Sequence, residues 1–286
     1  MIKIGSRKSP LAMRQTELVA EKLKKAFPDE EFEIIGISTK GDRQLDKSLQ
    51  SFGGKGVFIK ELEAAILSGE IQMAVHSAKD MPTELPDGLS IGAVIERGPH
   101  EDVLVCCGDT KIDFSDRMAK IIIGTGSIRR EYQLKELFPN AQTKPIRGNI
   151  HTRLEKMRKG EYDAIVLARA ALERLGITGF KIIPLDFVCA AGQGIIAVEI
   201  KAGAMEKYMQ AINDEETYRS LIAEREFLSL SGGGCHAPVG AFAQAENNEI
   251  IMETFQVKNG KIIRRKMSDT NPLVLAHKMA EQSEGH

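Results

Sequence analysis

Tryptophan is absent from this chain of 286 residues, and aromatic side chains make up only 5% of it. Long apolar runs are missing too, since none approaches the roughly 20 residues that a membrane-spanning helix needs. The opening residues lack the apolar centre of a secretion signal, so we expect a cytoplasmic protein that does not contact membranes. Neither charge is in excess, because 39 Lys and Arg stand against 40 Asp and Glu. This balance predicts no general affinity for nucleic acid.

Cysteine and histidine are few and scattered. The four cysteines, Cys106, Cys107, Cys189 and Cys235, match neither the spacing of a zinc site nor the framework of a small disulfide-rich domain. The six histidines form no HExxH pair and no Cys/His cluster. We therefore expect free thiols and no metal site built by the protein.

The composition is that of an ordinary globular protein, with 42% hydrophobic and 28% charged residues. The chain exceeds the usual size of one domain, which favours two or three. Strand-like and helical segments alternate over most of it, which indicates α/β domains with largely parallel sheets. After about residue 213 the pattern changes to a helix, three strands and a final helix, which predicts a small α+β domain with an antiparallel sheet.

Residue patterns at the ends of these segments set their expected bounds. The predicted strands cover 2–5, 32–39, 71–75, 103–106, 120–123, 143–146, 163–167, 239–245, 249–257 and 261–267. The predicted helices begin at 9–10 and at about 213 and 272, and cover 57–68, 127–138, 150–159 and 169–175. Ser9 followed by Pro10 is typical of a helix start, and Asn259 with Gly260 is typical of a tight hairpin turn. A polar, glycine-rich loop at 40–56 is long enough to suggest function.

Two strand–turn–helix segments carry arginines where a ligand could bind. The turn at 125–127 would place free backbone N–H groups and the positive end of a helix dipole beside Arg129 and Arg130. A second such segment has Arg147 at its strand end and Arg153 one turn into the helix. Strand ends of this kind converge on one crevice in an α/β sheet, which predicts an anion-binding cleft. Carboxylate and phosphate fit arginine equally well, and solvated surface arginines remain the alternative.

The first predicted domain supplies a further set of polar residues near its strand ends. They are Arg7, Ser9, Gln15 and, in the glycine-rich loop, Lys55. Asp80, beside Lys79, follows a buried strand and is a candidate for a general acid or for a carboxylate that stabilises a cation. The alternative is an ordinary aspartate that begins a turn before Pro82.

Cys235 stands in a glycine-rich loop, SGGGCHAP, in the third predicted domain. A single free cysteine is most often a small apolar residue at a contact between domains. The functional interpretation makes it a nucleophile or a point of covalent attachment. The residue pattern alone leaves both open.

The combined pattern resembles the porphobilinogen deaminase (hydroxymethylbilane synthase) family, from residue 2 almost to the end. The resemblance depends on these ordered segments: GSRKSPLA at 5–12, KGD at 40–42, GGKGVFIKELE at 53–63, AVHSAKDMP at 74–82, GTGSIRR at 124–130, IRGNIHTRL at 146–154, GEYDAIVLARAAL at 160–172, GQG at 192–194 and GGC at 233–235. The family joins four porphobilinogen molecules into a linear hydroxymethylbilane and releases ammonia at each addition. It starts each chain on a dipyrromethane cofactor held by a cysteine thioether.

The resemblance implies a role for each candidate residue. Asp80 would be the catalytic carboxylate and Cys235 the attachment point of dipyrromethane. The resemblance assigns the binding of cofactor and substrate carboxylates to Arg7, Ser9, Gln15, Lys55, Ser77, Lys79, Thr125, Ser127, Arg129, Arg130, Arg147, Arg153, Arg174, Gln193 and Gly194. Three positions, Ala78, Gly126 and Arg169, depart from the pattern we expect of the family.

The resemblance also implies an architecture and partners. The fold would have two hinged doubly wound α/β domains like those of type II solute-binding proteins, at 1–95 with 190–211 and at 96–189, followed by an α+β domain at 212–286. We expect a monomer without metal, which hands its product to uroporphyrinogen-III synthase. Two alternatives are a non-catalytic carboxylate- or oxyanion-binding protein with a two-lobed cleft, and a degenerate member of the family that no longer carries its cofactor.

Overall fold

A computed structural model describes residues 1–39, 59–232 and 237–281, so Lys55 and Cys235 lie outside the described residues. Its strands are β1 Ile2–Arg7, β2 Phe32–Ile37, β3 Met73–Ser77, β4 Leu89–Ile95, β5 Asp102–Cys107, β6 Ile122–Gly124, β7 Gln142–Lys144, β8 Ala164–Ala168, β9 Phe180–Leu185, β10 Ile196–Lys201, β11 Val239–Glu246, β12 Glu249–Lys258 and β13 Lys261–Asp269. Its helices are α1 Pro10–Ala26, α2 Lys60–Ser68, α3 Ile128–Leu137, α4 Ile150–Arg158, α5 Arg169–Arg174, α6 Glu206–Ile212, α7 Glu215–Leu230 and α8 Pro272–Glu281.

The first sheet has the strand order β2-β1-β3-β10-β4. β1 runs parallel to β2 and β3, whereas β10 runs antiparallel to both β3 and β4. The expectation of a largely parallel sheet is therefore wrong for half of these pairings. β10 reaches this sheet from the second one instead of through a helical crossover, so it enters in the opposite direction.

The second sheet has the order β7-β6-β8-β5-β9 and is mixed in the same way. β6 is parallel to β7 and β8, and β5 is antiparallel to β8 and β9. The chain crosses from the first sheet to the second between β4 and β5, and returns between β9 and β10. We call the return segment, residues 186–195, the return crossover. It carries the GQG sequence.

The third sheet, β11-β12-β13, is fully antiparallel and packs against α7 and α8. Asn259 and Gly260 have φ angles of 50° and 74°, so the predicted hairpin turn between β12 and β13 is confirmed. Asn247 and Asn248 form a second turn of this kind between β11 and β12, with φ angles of 48° and 69°.

Each sheet has a hydrophobic core of its own. Ile4, Val75 and Val198 belong to the first, and Leu104 with Val166 belong to the second. In the third, fully buried Phe227, Met252 and Leu275 pack between α7, β12 and α8. The expected fold class, two α/β units and a small α+β unit with a three-stranded antiparallel sheet, is confirmed. In the described part of the chain no helix is both long and apolar enough to cross a membrane.

The first helix shows how local sequence places a strand end next to the cleft. β1 ends at Arg7, and Ser9 caps α1 by accepting a hydrogen bond from the backbone N–H of Ala12 at 3.3 Å. Pro10 occupies the first turn, where its missing N–H costs nothing. The predicted start of this helix is confirmed. Arg7 and Ser9 therefore sit in a short, fixed connection.

Candidate active site

Polar residues at the ends of β1 and β3 line one cleft. Its lining includes Arg7, Ser9, Gln15, Ser77 and Asp80, all five of which the sequence analysis singled out. The Gln15 side-chain amide hydrogen-bonds the Ser77 hydroxyl at 2.9 Å, which joins α1 to the end of β3. His76, which the sequence analysis did not select, lines the same cleft.

Asp80 ends a short 3-10 turn that starts directly after β3. The backbone N–H of Ala78 donates to the carbonyl of Ile195 at 3.0 Å, and the side chains of Ala78 and Met81 are buried on either side of the turn. Asp80 itself is exposed. Within the described part of the chain, its carboxylate has neither a hydrogen bond nor an ion pair. The turn thus holds the backbone of Asp80 in place and leaves its carboxylate exposed and without a partner in the described part of the chain.

The segment after Asp80 is held from the third unit. Arg225 on α7 donates to the carbonyl oxygens of Pro82 and Thr83 at 2.7 and 2.9 Å. This contact fixes the chain directly after the Asp80 turn, so α7 contributes to the position of Asp80 although it lies in another unit.

Arg129 and Arg130, predicted to bind ligand anions, both contact the buried carboxylate of Asp102 in β5. Nη2 of Arg129 lies 2.8 Å from Oδ2, and Nη2 of Arg130 lies 2.7 Å from Oδ1. Asp102 is completely buried. Burial alone would raise the pKa of Asp102, but the two guanidinium charges outweigh it and hold that pKa well below its usual range. Sequence reasoning missed Asp102, whose only signal is an acidic residue at the start of an apolar strand.

Gln193 in the return crossover connects this cluster to the first sheet. Its amide nitrogen donates to Asp102 at 2.9 Å, and its amide oxygen accepts from Lys79 Nζ at 3.2 Å. Burial, together with the positive charges of Arg129 and Arg130, lowers the pKa of Lys79 to about 8, although Asp80 and Asp102 oppose the shift. The structure thus brings Lys79 and Gln193 together with both arginines.

The turn before α3 differs from the expectation of free N–H groups. The backbone N–H of Thr125 donates to the carbonyl of Lys144, and that of Ser127 donates to the Thr125 hydroxyl at 3.2 Å. The Ser127 hydroxyl caps α3 by accepting from the N–H of Arg130. Two of the predicted anion donors are therefore occupied, because a backbone carbonyl accepts from the N–H of Thr125 and a side chain of the same turn accepts from that of Ser127. Gly126, one of the three departures, has no side chain to compete with these contacts.

Arg153 lies close enough to the cleft to interact with groups from both sheets. Its Nε donates to the carbonyl of Gly148 at 2.8 Å. Burial and the charge of Arg130 lower the pKa of Arg153, while Asp80 partly offsets them. Arg147 is exposed in the turn before α4. The second arginine-bearing turn is thus near the same cleft as Asp80.

Arg174 and Gly194 meet at the return crossover. Nη2 of Arg174 donates to the carbonyl of Gly194 at 2.5 Å, and burial lowers the pKa of Arg174 to about 10. Gly194 has a φ angle of 86°, and a Cβ there would lie 2.6 Å from the carbonyl oxygen of Gly98. The two crossing segments therefore touch at a position that only glycine fits. Arg169 instead pairs with Glu101 and Glu173, so its charge is balanced.

A second buried ion pair, also missed from the sequence, joins the crossing segments to the third unit. Nη1 of Arg97 lies 2.6 Å from Oε1 of Glu224, which is completely buried on α7. Glu224 also accepts from the backbone N–H of Gly192 at 2.6 Å and of Ala243 at 2.7 Å. One carboxylate thus holds the return crossover against β11.

Comparison with known proteins gives a consistent picture. Two family models match: "Porphobilinogen deaminase, dipyromethane cofactor binding domain" over residues 2–209, and "Porphobilinogen deaminase, C-terminal domain" over residues 218–282. A curated porphobilinogen deaminase of Acetivibrio thermocellus is 42% identical over 276 residues, which cover 94% of this chain and 93% of the relative. One from Geobacillus sp. (strain WCH70) is 44% identical over 281 residues, with 94% and 89% covered.

One solved structure illustrates a distant likeness in fold. The periplasmic aliphatic sulphonate binding protein SsuA from Escherichia coli is 13% identical, with a TM-score of 0.42, over 81% of this chain and 70% of that one. So weak a likeness adds nothing to the functional assignment. The relatives are transferases instead of simple receptors, so the alternative of a non-catalytic binding protein is set aside. The two family models together match residues 2–209 and 218–282, and the curated relatives match most of the chain. The chain therefore belongs to the porphobilinogen deaminase family.

Proposed function

We propose that Asp80 is the catalytic carboxylate of this chain and that Cys235 carries its cofactor. The chain is a transferase that deaminates porphobilinogen and joins four such units on a dipyrromethane primer, to give hydroxymethylbilane and ammonia. The observation that carries the residue assignment is the isolated, exposed carboxylate of Asp80 beside a group of cations.

The described residues fit a dipyrromethane. Each of its two pyrrole rings carries an acetate and a propionate, so the group brings four negative charges. The charged groups that shift the pKa values of Lys79 and Arg153 include only two acids, Asp80 and Asp102. The cations of this cluster are four: Lys79, Arg129, Arg130 and Arg153. The surplus of cations matches a ligand rich in carboxylates, since planar guanidinium groups bind carboxylates in pairs of hydrogen bonds.

The position of β11 supports attachment through Cys235. Gly240, five residues further on, lies against Arg129: a Cβ at this glycine would be 3.0 Å from Cδ of that arginine. The backbone N–H of Ala241 donates to the carbonyl of Cys189 in the return crossover at 3.0 Å. The strand that follows Cys235 therefore passes directly beside the arginine cluster, within reach of a cofactor held there.

The chemistry that we assign to Asp80 follows from its charge and its exposure. When bound, the dipyrromethane supplies the free ring carbon to which the first substrate is joined. The C–N bond of porphobilinogen breaks and ammonia leaves, so the substrate becomes cationic, and the negative carboxylate of Asp80 stabilises that cation. After the carbon–carbon bond forms, Asp80 takes the proton from the ring carbon, and the released proton returns to solvent. Lys79 and the arginines hold the substrate carboxylates during these steps.

The remaining expectations belong to the same proposal. The unit boundaries would be 1–95 with 190–211, 96–189 and 212–286, which the three sheets with separate cores support. The binding roles of Arg7, Ser9, Gln15, Ser77, Thr125, Ser127, Arg147, Arg174, Gln193 and Gly194, and of Lys55, are proposed with it. We further propose a cytoplasmic monomer that hands hydroxymethylbilane to uroporphyrinogen-III synthase.

Replacement of Asp80 by Asn tests the catalytic assignment. Asn keeps the shape of the side chain but cannot balance a cation or accept the proton, so turnover should fall by at least about 100-fold. Asp87→Asn is the matched control, because Asp87 is an exposed aspartate nearby in the chain. Ammonia release would be measured for both variants after mass spectrometry has shown that each carries the cofactor. Turnover by Asp80→Asn within a few-fold of the Asp87→Asn value would contradict the proposal.

A further inference from the structure

The buried carboxylate of Asp102 has a cost that the reaction itself does not explain. It occupies two arginines that are wanted for ligand carboxylates, and it removes a charge from water completely. A buried ion pair contributes little net stability compared with apolar packing, because desolvation offsets the attraction. Its presence at the centre of an anion cleft therefore calls for a role in the arrangement of the cleft.

Asp102 fixes how the two guanidinium groups are turned. Arg130 donates hydrogen bonds from Nε and Nη2 to the carboxylate of Asp102, and from Nη1 to the carbonyl of Val166. Nη2 of Arg129 forms an ion pair with Asp102, and Nη1 of Arg129 donates to the carbonyl of Val188. A guanidinium has five N–H donors, and these contacts of Arg130 use three of them. Each arginine is thus locked in one orientation and keeps donors for an incoming carboxylate.

Asp102 also reaches the catalytic turn on the other sheet. Gln193 donates to Asp102 with its amide nitrogen and accepts from Lys79 with its amide oxygen. The same nitrogen donates to the carbonyl of His100 at 2.8 Å, so the amide is held in this orientation. Lys79 directly precedes Asp80 in the 3-10 turn. The path from β5 to the turn consists of two side-chain hydrogen bonds through one buried glutamine.

We propose that Asp102 is a positioning residue for the reaction, which orients Arg129 and Arg130 and, through Gln193, keeps Lys79 charged beside Asp80. The proposal rests on the binding roles given above to Lys79 and the arginines. It adds a residue that touches no ligand itself but sets the charge and direction of three that do.

The charges around Lys79 allow this role to be measured. Its own turn contributes Asp80, α3 contributes Arg129 and Arg130, and β5 contributes Asp102. Burial and the two arginines lower the pKa of Lys79 to about 8, and the two aspartates oppose them. Without the charge of Asp102, Lys79 would lose its proton at a lower pH. A residue with a merely structural role would leave this titration where it is.

The test measures the titration of Lys79 in Asp102→Asn, with Asp109→Asn as the control because Asp109 is exposed beyond the far end of β5. The rate at which an acylating reagent modifies Lys79 is followed against pH by peptide mass spectrometry, in the holoenzyme. We expect the midpoint to fall by about one pH unit in Asp102→Asn, at the low end of the effect of a nearby charge. The alkaline limb of kcat/KM should move in the same direction, with KM rising more than kcat falls.

An unchanged Lys79 midpoint in folded Asp102→Asn would overturn the proposal. If that variant does not fold, the same titration is measured in Gln193→Met. This substitution removes the hydrogen-bond acceptor of Lys79 and keeps the ion pairs of Asp102 with Arg129 and Arg130. A lower Lys79 midpoint in Gln193→Met supports the connection from Asp102 through Gln193 to Lys79, and an unchanged Lys79 midpoint overturns it. The titration is read without turnover, so it fails or succeeds independently of the Asp80→Asn result that tests the proposed function.

Discussion

Removal of the Glu224 carboxylate should destabilise the protein more than any surface change on the same helix. Glu224 is completely buried and accepts from Arg97 at 2.6 Å, from the N–H of Gly192 at 2.6 Å and from the N–H of Ala243 at 2.7 Å. In Glu224→Ala, the guanidinium of Arg97 stays charged and loses its counter-charge, while two backbone donors lose their acceptor. The contacts that Glu224 makes to the return crossover and to β11 are lost together.

The expected size follows from those contacts. Removal of one partner from a buried ion pair costs about 3–5 kcal/mol, and each orphaned buried donor would add about 1–3 kcal/mol if water did not reach it. Because these losses overlap at one site, we expect a total of about 4 kcal/mol. This corresponds to a fall in melting temperature of roughly 10 °C for a protein of this size. Glu224→Gln, which keeps an acceptor but loses the charge, should lie between Glu224→Ala and the parent.

The assay is urea unfolding followed by circular dichroism, with Glu226→Ala as the matched control. Glu226 is on the same helix, and its side chain keeps 32% of its surface exposed in a contact with His277 at 3.1 Å. Exposed pairs of this kind contribute about 0–1 kcal/mol. If Glu224→Ala lost no more stability than Glu226→Ala, the reasoning about the buried pair would be refuted.

Two further predictions concern backbone space and buried charge. Gly192→Ala should cost at least about 2 kcal/mol and reduce activity, because φ is 73° and the new Cβ would lie 2.9 Å from the backbone of Ala78. Gly203 has the same φ of 73°, but a Cβ there would have no atom within 4 Å, so Gly203→Ala should lose only the stability that the strained φ costs. Equal losses of stability in both variants would argue against a clash between the new Cβ at Gly192 and Ala78. Burial and the charge of Glu199 raise the pKa of Glu63, so its ionised form costs stability that grows as the pH rises above the ordinary glutamate value. Glu63→Gln should therefore melt higher than the parent at pH 7 but not at pH 4, and an equal difference at both would count against this account.

The elements with strong local signals were predicted well from the sequence. The Ser9 cap, the hairpin turn at Asn259 and Gly260, and the helix after Ser127 depend on residues that are neighbours in the chain, so their patterns are visible in any single sequence. The class of fold followed from the order of such segments. The strands β4, β9 and β10 were missed, and the direction of β10 depends on where the chain returns from, which no local pattern records.

The site was predicted in its composition but not in its internal contacts. Arginines at strand ends indicated an anion cleft, and the resemblance to a family gave Asp80 and the binding residues their expected roles. Asp102 and Glu224 were missed because their partners are distant in the chain: Arg130 is 28 residues from Asp102, and Arg97 is 127 residues from Glu224. A buried carboxylate is recognised only when the fold shows which cations surround it.

The most direct test of the account is the intact mass of the denatured protein beside that of Cys235→Ser. We predict that the parent exceeds its polypeptide mass by two porphobilinogen units less their ammonia, and that Cys235→Ser shows no such excess. The same excess on Cys235→Ser would contradict attachment through this cysteine. A bare polypeptide mass for the parent, unchanged after incubation with porphobilinogen, would contradict the presence of the primer itself.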